Sequence, residues 1–186
     1  MKEDLKMKFY HQRTKKLCFS AIFLALTYVL PFLTGQVPEI GSMLCPMHIP
    51  VLLCGFICGR SYGLVVGFMA PLLRSVALGM PIMFPQAVCM ALELAAYGMI
   101  SGTMHRILPN KKPYIYCSLL IAMASGRAVW GVAMFLCTQL AGNSFGIEAF
   151  VAAAFTNAVP GIILQIVLVP AIVVLCEQIN IFKIKK

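Results

Sequence analysis

The chain has 186 residues, of which 61% are hydrophobic and only 11% charged, with a formal net charge of +9 and a mean hydropathy of +0.90. So apolar a composition excludes a disordered chain, a nucleic-acid-binding fold and most soluble enzymes, all of which need a polar surface. It describes an integral membrane protein, and the excess of positive charge has to be explained within that class.

Met1–Lys16 is a polar, basic arm. The apolar run behind it lacks a small-residue cleavage site of the A-x-A kind, so Leu17–Leu33 reads as a retained span and not as a cleaved signal. A helical crossing needs about 20 apolar residues, somewhat fewer where short helices pack in a bundle. On that measure the later spans are Leu44–Cys58, Tyr62–Leu78, Phe84–Ile107, Tyr114–Leu140 and Ile147–Cys176, separated by Gly, Pro and charge-bearing breaks. The second is short, and the last is too long for one straight crossing. The expected fold is an all-α integral membrane protein, a six-transmembrane-helix bundle: a basic arm over 1–16, the membrane domain over 17–178 and a basic tail over 179–186.

Orientation follows from the Lys and Arg residues, because positive loops stay in the cytoplasm. Lys2, Lys6, Lys8, Arg13, Lys15 and Lys16 precede the first span, and Arg60 lies between the second and third. Arg106, Lys111 and Lys112 fall between the fourth and fifth, and Lys183, Lys185 and Lys186 end the chain. The opposite loops, Thr34–Met43, Gly79–Pro85 and Gln139–Gly146, carry no Lys or Arg. Both termini are therefore expected in the cytoplasm. Topology and attraction to anionic lipid account for the basic charge without nucleic acid.

Two basic residues remain inside the spans, Arg74 and Arg127, with Glu93 as the only comparable acid. An arginine near a helix centre costs about 2.5–3.5 kcal/mol on insertion scales, so such residues face a bundle interior and carry a pairing or a function. One reading is structural: Glu93 pairs with Arg127 or Arg74 and ties helices together. Arg74, about 6 Å from the end of its span at 1.5 Å per residue, has the further option of snorkelling to headgroups. The other reading is a cavity in which two arginines face one glutamate, a surplus of positive charge that suits a carboxylate-bearing ligand.

Further polar groups lie at matching depths: His48, Gln86, Gln139, Asn143 and Asn157, with Tyr97 and Trp130 closer to mid-membrane. Asn157 precedes Pro160–Gly161 and has the alternative task of satisfying freed backbone groups, as Gln165 has that of bridging helices. His48 is expected to be structural, and His48, His105 and Glu93 to fall at different depths. Pro71, Pro160 and Pro170 are expected to kink or break their helices, and broken helices at mid-membrane build substrate sites. The loops Thr34–Met43 and Gly79–Pro85 would cap such a site from outside. The eight cysteines show no metal-ligand spacing and read as small buried hydrophobes.

Small residues four apart, which let membrane helices approach closely, occur at Ala21–Ala25, Gly63–Gly67, Ala91–Ala95 and Gly98–Gly102. Together with Pro46–Met47–His48–Ile49–Pro50–Val51, the Gly55, Gly59, Gly63, Gly67 series, Pro71–Leu72–Leu73–Arg74, Gly79–Met80–Pro81, Met90–Ala91–Leu92–Glu93 with Tyr97–Gly98, and Pro160–Gly161 to Leu164–Gln165 with Pro170, this order of motifs resembles the substrate-binding S components of energy-coupling factor (ECF) vitamin transporters. The resemblance covers nearly the whole chain. It implies capture of a vitamin or related micronutrient from outside, and import with a transmembrane coupling subunit and two cytoplasmic ATPases. Carried over by position, Ala21 and Ala25 would dock the coupling subunit. The ligand would lie among Gln86, Glu93, Tyr97, Arg127, Trp130, Gln139, Asn143 and Asn157, bordered by Arg74. The arginine surplus favours pantothenate, and the aromatic surface of Phe84, Tyr97 and Trp130 would serve riboflavin.

No cofactor is expected in this chain. It contains no G-x-x-x-x-G-K-[ST], so ATP hydrolysis would belong to a partner. A self-sufficient transporter of a small anionic metabolite, with Glu93 titrating to couple protons, is the competing reading. An intramembrane enzyme lacks H-E-x-x-H, G-x-S-x-G and any His/carboxylate pair at helical spacing.

Overall fold

The computed structural model describes residues 2–33, 44–109, 111–140 and 159–179, and the secondary structure there is helical throughout. In chain order the helices are α1 (Lys2–Leu33), α2 (His48–Cys58), α3 (Arg60–Leu78), α4 (Val88–Ile107), α5 (Lys112–Leu140) and α6 (Val159–Gln178). A wide helical turn, Met83–Ala87, leads into α4.

Five of these are long and apolar enough to cross a membrane. The exception is α2, with 11 residues. At 1.5 Å per residue it covers about 16 Å, roughly half of a hydrocarbon core. The expected span Leu44–Cys58 is thus a shorter helix, because Cys45 takes a positive φ of 47° and the chain turns through Pro46 and Met47 before helix begins. Every residue of α2 is buried, so a segment too short to span alone is wrapped by its neighbours.

Other expected boundaries shift for local reasons. The basic arm continues the first helix, since Lys, Glu and Gln are good helix formers, and α1 reaches back to Lys2. Phe84 is extended (φ −125°, ψ 132°), which moves the start of α4 to Val88. Pro31, Pro71 and Pro170 all sit within continuous helices, and Pro160 lies at the edge of the described part of α6. The last expected span, Ile147–Cys176, is described only from Val159 onward. The loop Thr34–Met43 also lies outside the described residues.

The bundle centres on α4, which packs most closely on α3 and α5 and also against α2. Glycine lets the backbones meet. A Cβ on Gly63 would lie 2.5 Å from the Gly98 carbonyl oxygen, and one on Gly102 2.5 Å from Arg60 N. The small-residue pairs of α3 and α4 therefore build the seam between α2, α3 and α4. Gly59 alone joins α2 to α3, at φ 102°, its N–H donating to the carbonyls of Cys54 and Gly55. Ala21 and Ala25 are instead exposed on α1. Cys18 and Cys117 are exposed too, against the expectation that the cysteines are buried. In a bundle this thin, one side of each peripheral helix faces outward.

A buried charged layer as candidate functional site

Arg60, Arg106 and Lys112 mark one end of the bundle as basic. Measured from that end, Glu93 is 14 residues along α4 from Ile107 and Arg127 is 15 residues along α5 from Lys112, about 21 and 22 Å. The two meet: Arg127 Nη1 lies 3.0 Å from Glu93 Oε1. Burial of Glu93 is nearly complete, at 1% exposure. An isolated carboxylate there would be very costly, and pairing with Arg127 offsets part of that cost.

His48 also joins this pair, its Nε2 3.5 Å from Glu93 Oε1. The expectation that His48 and Glu93 differ in depth is therefore incorrect. The glycine seam explains why: Gly55 of α2 abuts Gly98 and Ser101 of α4, and seven residues back from Gly55 is His48, while five back from Gly98 is Glu93. Because α2 is short, its first turn reaches only the depth of Glu93. A His/carboxylate pair thus forms between helices, which no search for spacing within one helix detects.

Tyr97, one turn from Glu93, completes the layer. It is 1% exposed and its ring stands edge-on to His48, with centroids 5.3 Å apart. Gly126 makes room for it, since a Cβ there would lie 2.8 Å from the Tyr97 ring. On the other side Arg127 Nη2 donates to Cys45 Sγ at 3.6 Å, and Cys45 holds its position in the αL turn that opens α2, where His48 N–H donates to the Cys45 carbonyl at 3.0 Å. Cys45 and Gly126 are the members of this layer that sequence reasoning did not single out, whereas His48 was expected among the polar groups at matching depth and given a structural role. The types of Cys45 and Gly126 carry no signal until α2, α4 and α5 are packed.

Arg74 goes elsewhere. Its Nη1 donates to the Tyr28 carbonyl of α1 at 3.2 Å, and its guanidinium lies 5.8 Å from the Phe32 ring centroid. Burial to 6% exposure removes the option of snorkelling to headgroups. The last turn of α1 has no basic residue of its own, so Arg74 supplies the cation at the negative end of that helix dipole. A cavity with two arginines facing one glutamate does not form: one arginine balances Glu93 and the other ties α3 to α1.

The other expected site residues are more dispersed. Gln86 is exposed in the turn before α4, and Gln139 is exposed near the end of α5. Trp130, half-buried, is three residues beyond Arg127. Asn143 and Asn157 lie outside the described residues. At the basic end a second pair links α4 to α6, with His105 Nε2 3.5 Å from Glu177 Oε1. Among the described residues no three His, Cys, Asp or Glu side chains come together to hold a metal ion.

A family model described as "ECF transporter, substrate-specific component" matches residues 15–173. No curated protein and no solved structure matches the chain. The match runs from within α1 through α2 to α5 and most of α6, and so takes in the layer of Glu93 and Arg127. The chain belongs to the family of ECF transporter substrate-specific components, multi-pass membrane subunits that bind a substrate and import it with an ECF module.

Proposed function

We propose that this protein captures a vitamin or related micronutrient from outside the bacterial plasma membrane, in the half of the bundle away from the basic end. It then delivers the ligand in complex with a transmembrane coupling subunit and two cytoplasmic ATPases. The supporting observation is the buried Glu93–Arg127 pair, a costly arrangement in an apolar bundle that is characteristic of functional positions. In this reading the chain crosses six times with both termini cytoplasmic, α2 making its crossing together with the residues before it. Ala21 and Ala25, exposed on α1, dock the coupling subunit.

The charge argument for pantothenate loses its premise, because Arg127 is balanced by Glu93 and Arg74 serves α1. Riboflavin, the second ligand considered, needs no such surplus.

The experiment is mass spectrometry of small molecules released from the gently purified protein, with transport measured after reconstitution with and without the coupling subunit and ATPases. A stoichiometric vitamin and uptake only with the full ATP-driven complex are expected. Uptake by the lone protein in a proton gradient would replace this reading with the proton-coupled one. For topology, cysteines introduced at Met80 and Lys112 in a background without other cysteines should react with an impermeant thiol reagent from opposite sides of the membrane.

A further inference from the structure

The His105–Glu177 tie fixes the relative height of α4 and α6, two helices that both end beside it. Glu93 lies twelve residues before His105, and Gln165 lies twelve residues before Glu177. Both therefore stand about 18 Å from the tie. Gln165 is 1% exposed, so α6 contributes a buried polar side chain at the height where α2 contributes His48, α4 Glu93 and α5 Arg127.

Within this layer several buried atoms have no hydrogen-bond partner: both ring nitrogens of His48, Glu93 Oε1, Arg127 Nε and Gln165 Oε1. Glu93 Oε1 is within ion-pair distance of Arg127 and His48, yet neither contact has hydrogen-bond alignment. Unsatisfied buried polar groups are rare in native proteins, and several of them, donors and acceptors together at one height, call for a partner. The formal charge of the layer is already balanced, one carboxylate against one guanidinium.

We propose that this layer is the polar floor of the substrate site, with His48 and Gln165 as ligand-contact residues, and that it takes an uncharged ring edge in which an N–H lies beside a carbonyl, as in a cyclic imide or lactam. This rests on the substrate-capture reading above. A neutral imidazole offers one donor and one acceptor, the Gln165 carbonyl accepts from the ring N–H, and Arg127 Nε donates to a ring carbonyl. A ligand carboxylate would set a second negative charge against Glu93, and a cation would oppose Arg127. An uncharged edge meets neither penalty and satisfies the open atoms.

The test is equilibrium dialysis of the purified full-length protein against riboflavin, which carries an uncharged ring imide, with pantothenate and thiamine as carboxylate and cation competitors. Riboflavin is expected to bind with a micromolar or lower Kd, displaced by neither competitor. Gln165→Leu and His48→Leu should each weaken it at least tenfold. Should His48→Leu fail to fold, Gln165→Leu with unchanged thermal unfolding carries the test. Tighter binding of pantothenate or thiamine, no binding of riboflavin, or unchanged affinity in Gln165→Leu overturns the proposal. Co-purification with the coupling subunit, measured on the same preparation, separates the failures: a complex without riboflavin binding rejects the substrate class alone, and no complex with no binding rejects the capture reading as well.

Discussion

Glu93 of α4 and Arg127 of α5 are 34 positions apart in sequence and 3.0 Å apart in space, at nearly equal distance from the basic end of the bundle. Each is the only charged side chain of its helix away from the ends, so neither has a substitute partner of its own.

Removing one member leaves the other charged and buried, a situation that costs about 3–5 kcal/mol where it has been measured. Glu93→Gln and Arg127→Met should each lower the thermal unfolding midpoint in detergent markedly. The double variant should recover a substantial part of the loss, because an apolar replacement of both charges is far less costly. Strictly additive losses in that double-mutant cycle would show that the contact contributes nothing to stability.

Gly98 faces Gly63 backbone to backbone. Alanine at Gly98 has to push α3 away, since the atoms it meets are main chain and cannot rotate aside. A loss of about 1–3 kcal/mol is expected for such overpacking, read as a lower midpoint of thermal unfolding. An unchanged midpoint would mean that α3 and α4 separate at little cost.

Arg74 ties α3 to the end of α1 through the Tyr28 carbonyl. Arg74→Ala should reduce stability by about 1.5–3 kcal/mol, the range for a hydrogen bond from a charged donor, and change ligand affinity by less than tenfold. Selective loss of ligand binding at full stability would place Arg74 in the substrate site instead.

Ala21 and Ala25 present small side chains on the exposed side of α1, where a second membrane helix can approach closely. Leucine at both positions should spare ligand binding and abolish co-purification with the coupling subunit and ATP-driven uptake. Intact assembly in that variant would move the docking surface elsewhere.

Several of these features are legible without a structure. The positions of α3, α4 and α5 follow from unbroken apolar runs, because hydrocarbon thickness sets a minimum length that few soluble segments meet. The choice of Glu93 and Arg127 as residues of interest follows from the cost of charge in an apolar span. Family membership was visible in the order of glycine, proline and charged motifs, and the family model extends over the same stretch.

Partnership was not legible. Sequence offers two arginines for one glutamate, and only the packing of α5 on α4 and of α3 on α1 decides that Arg127 pairs while Arg74 binds a main-chain carbonyl. Nor does sequence place His48, since its depth depends on a αL turn at Cys45, an 11-residue helix and a glycine seam that sets the register of α2 against α4. Composition and hydropathy act one residue at a time, so they determine which side chains must leave water and which are expensive there. Register, tilt and contact are collective, and only the assembled helices decide which of the expensive groups meet.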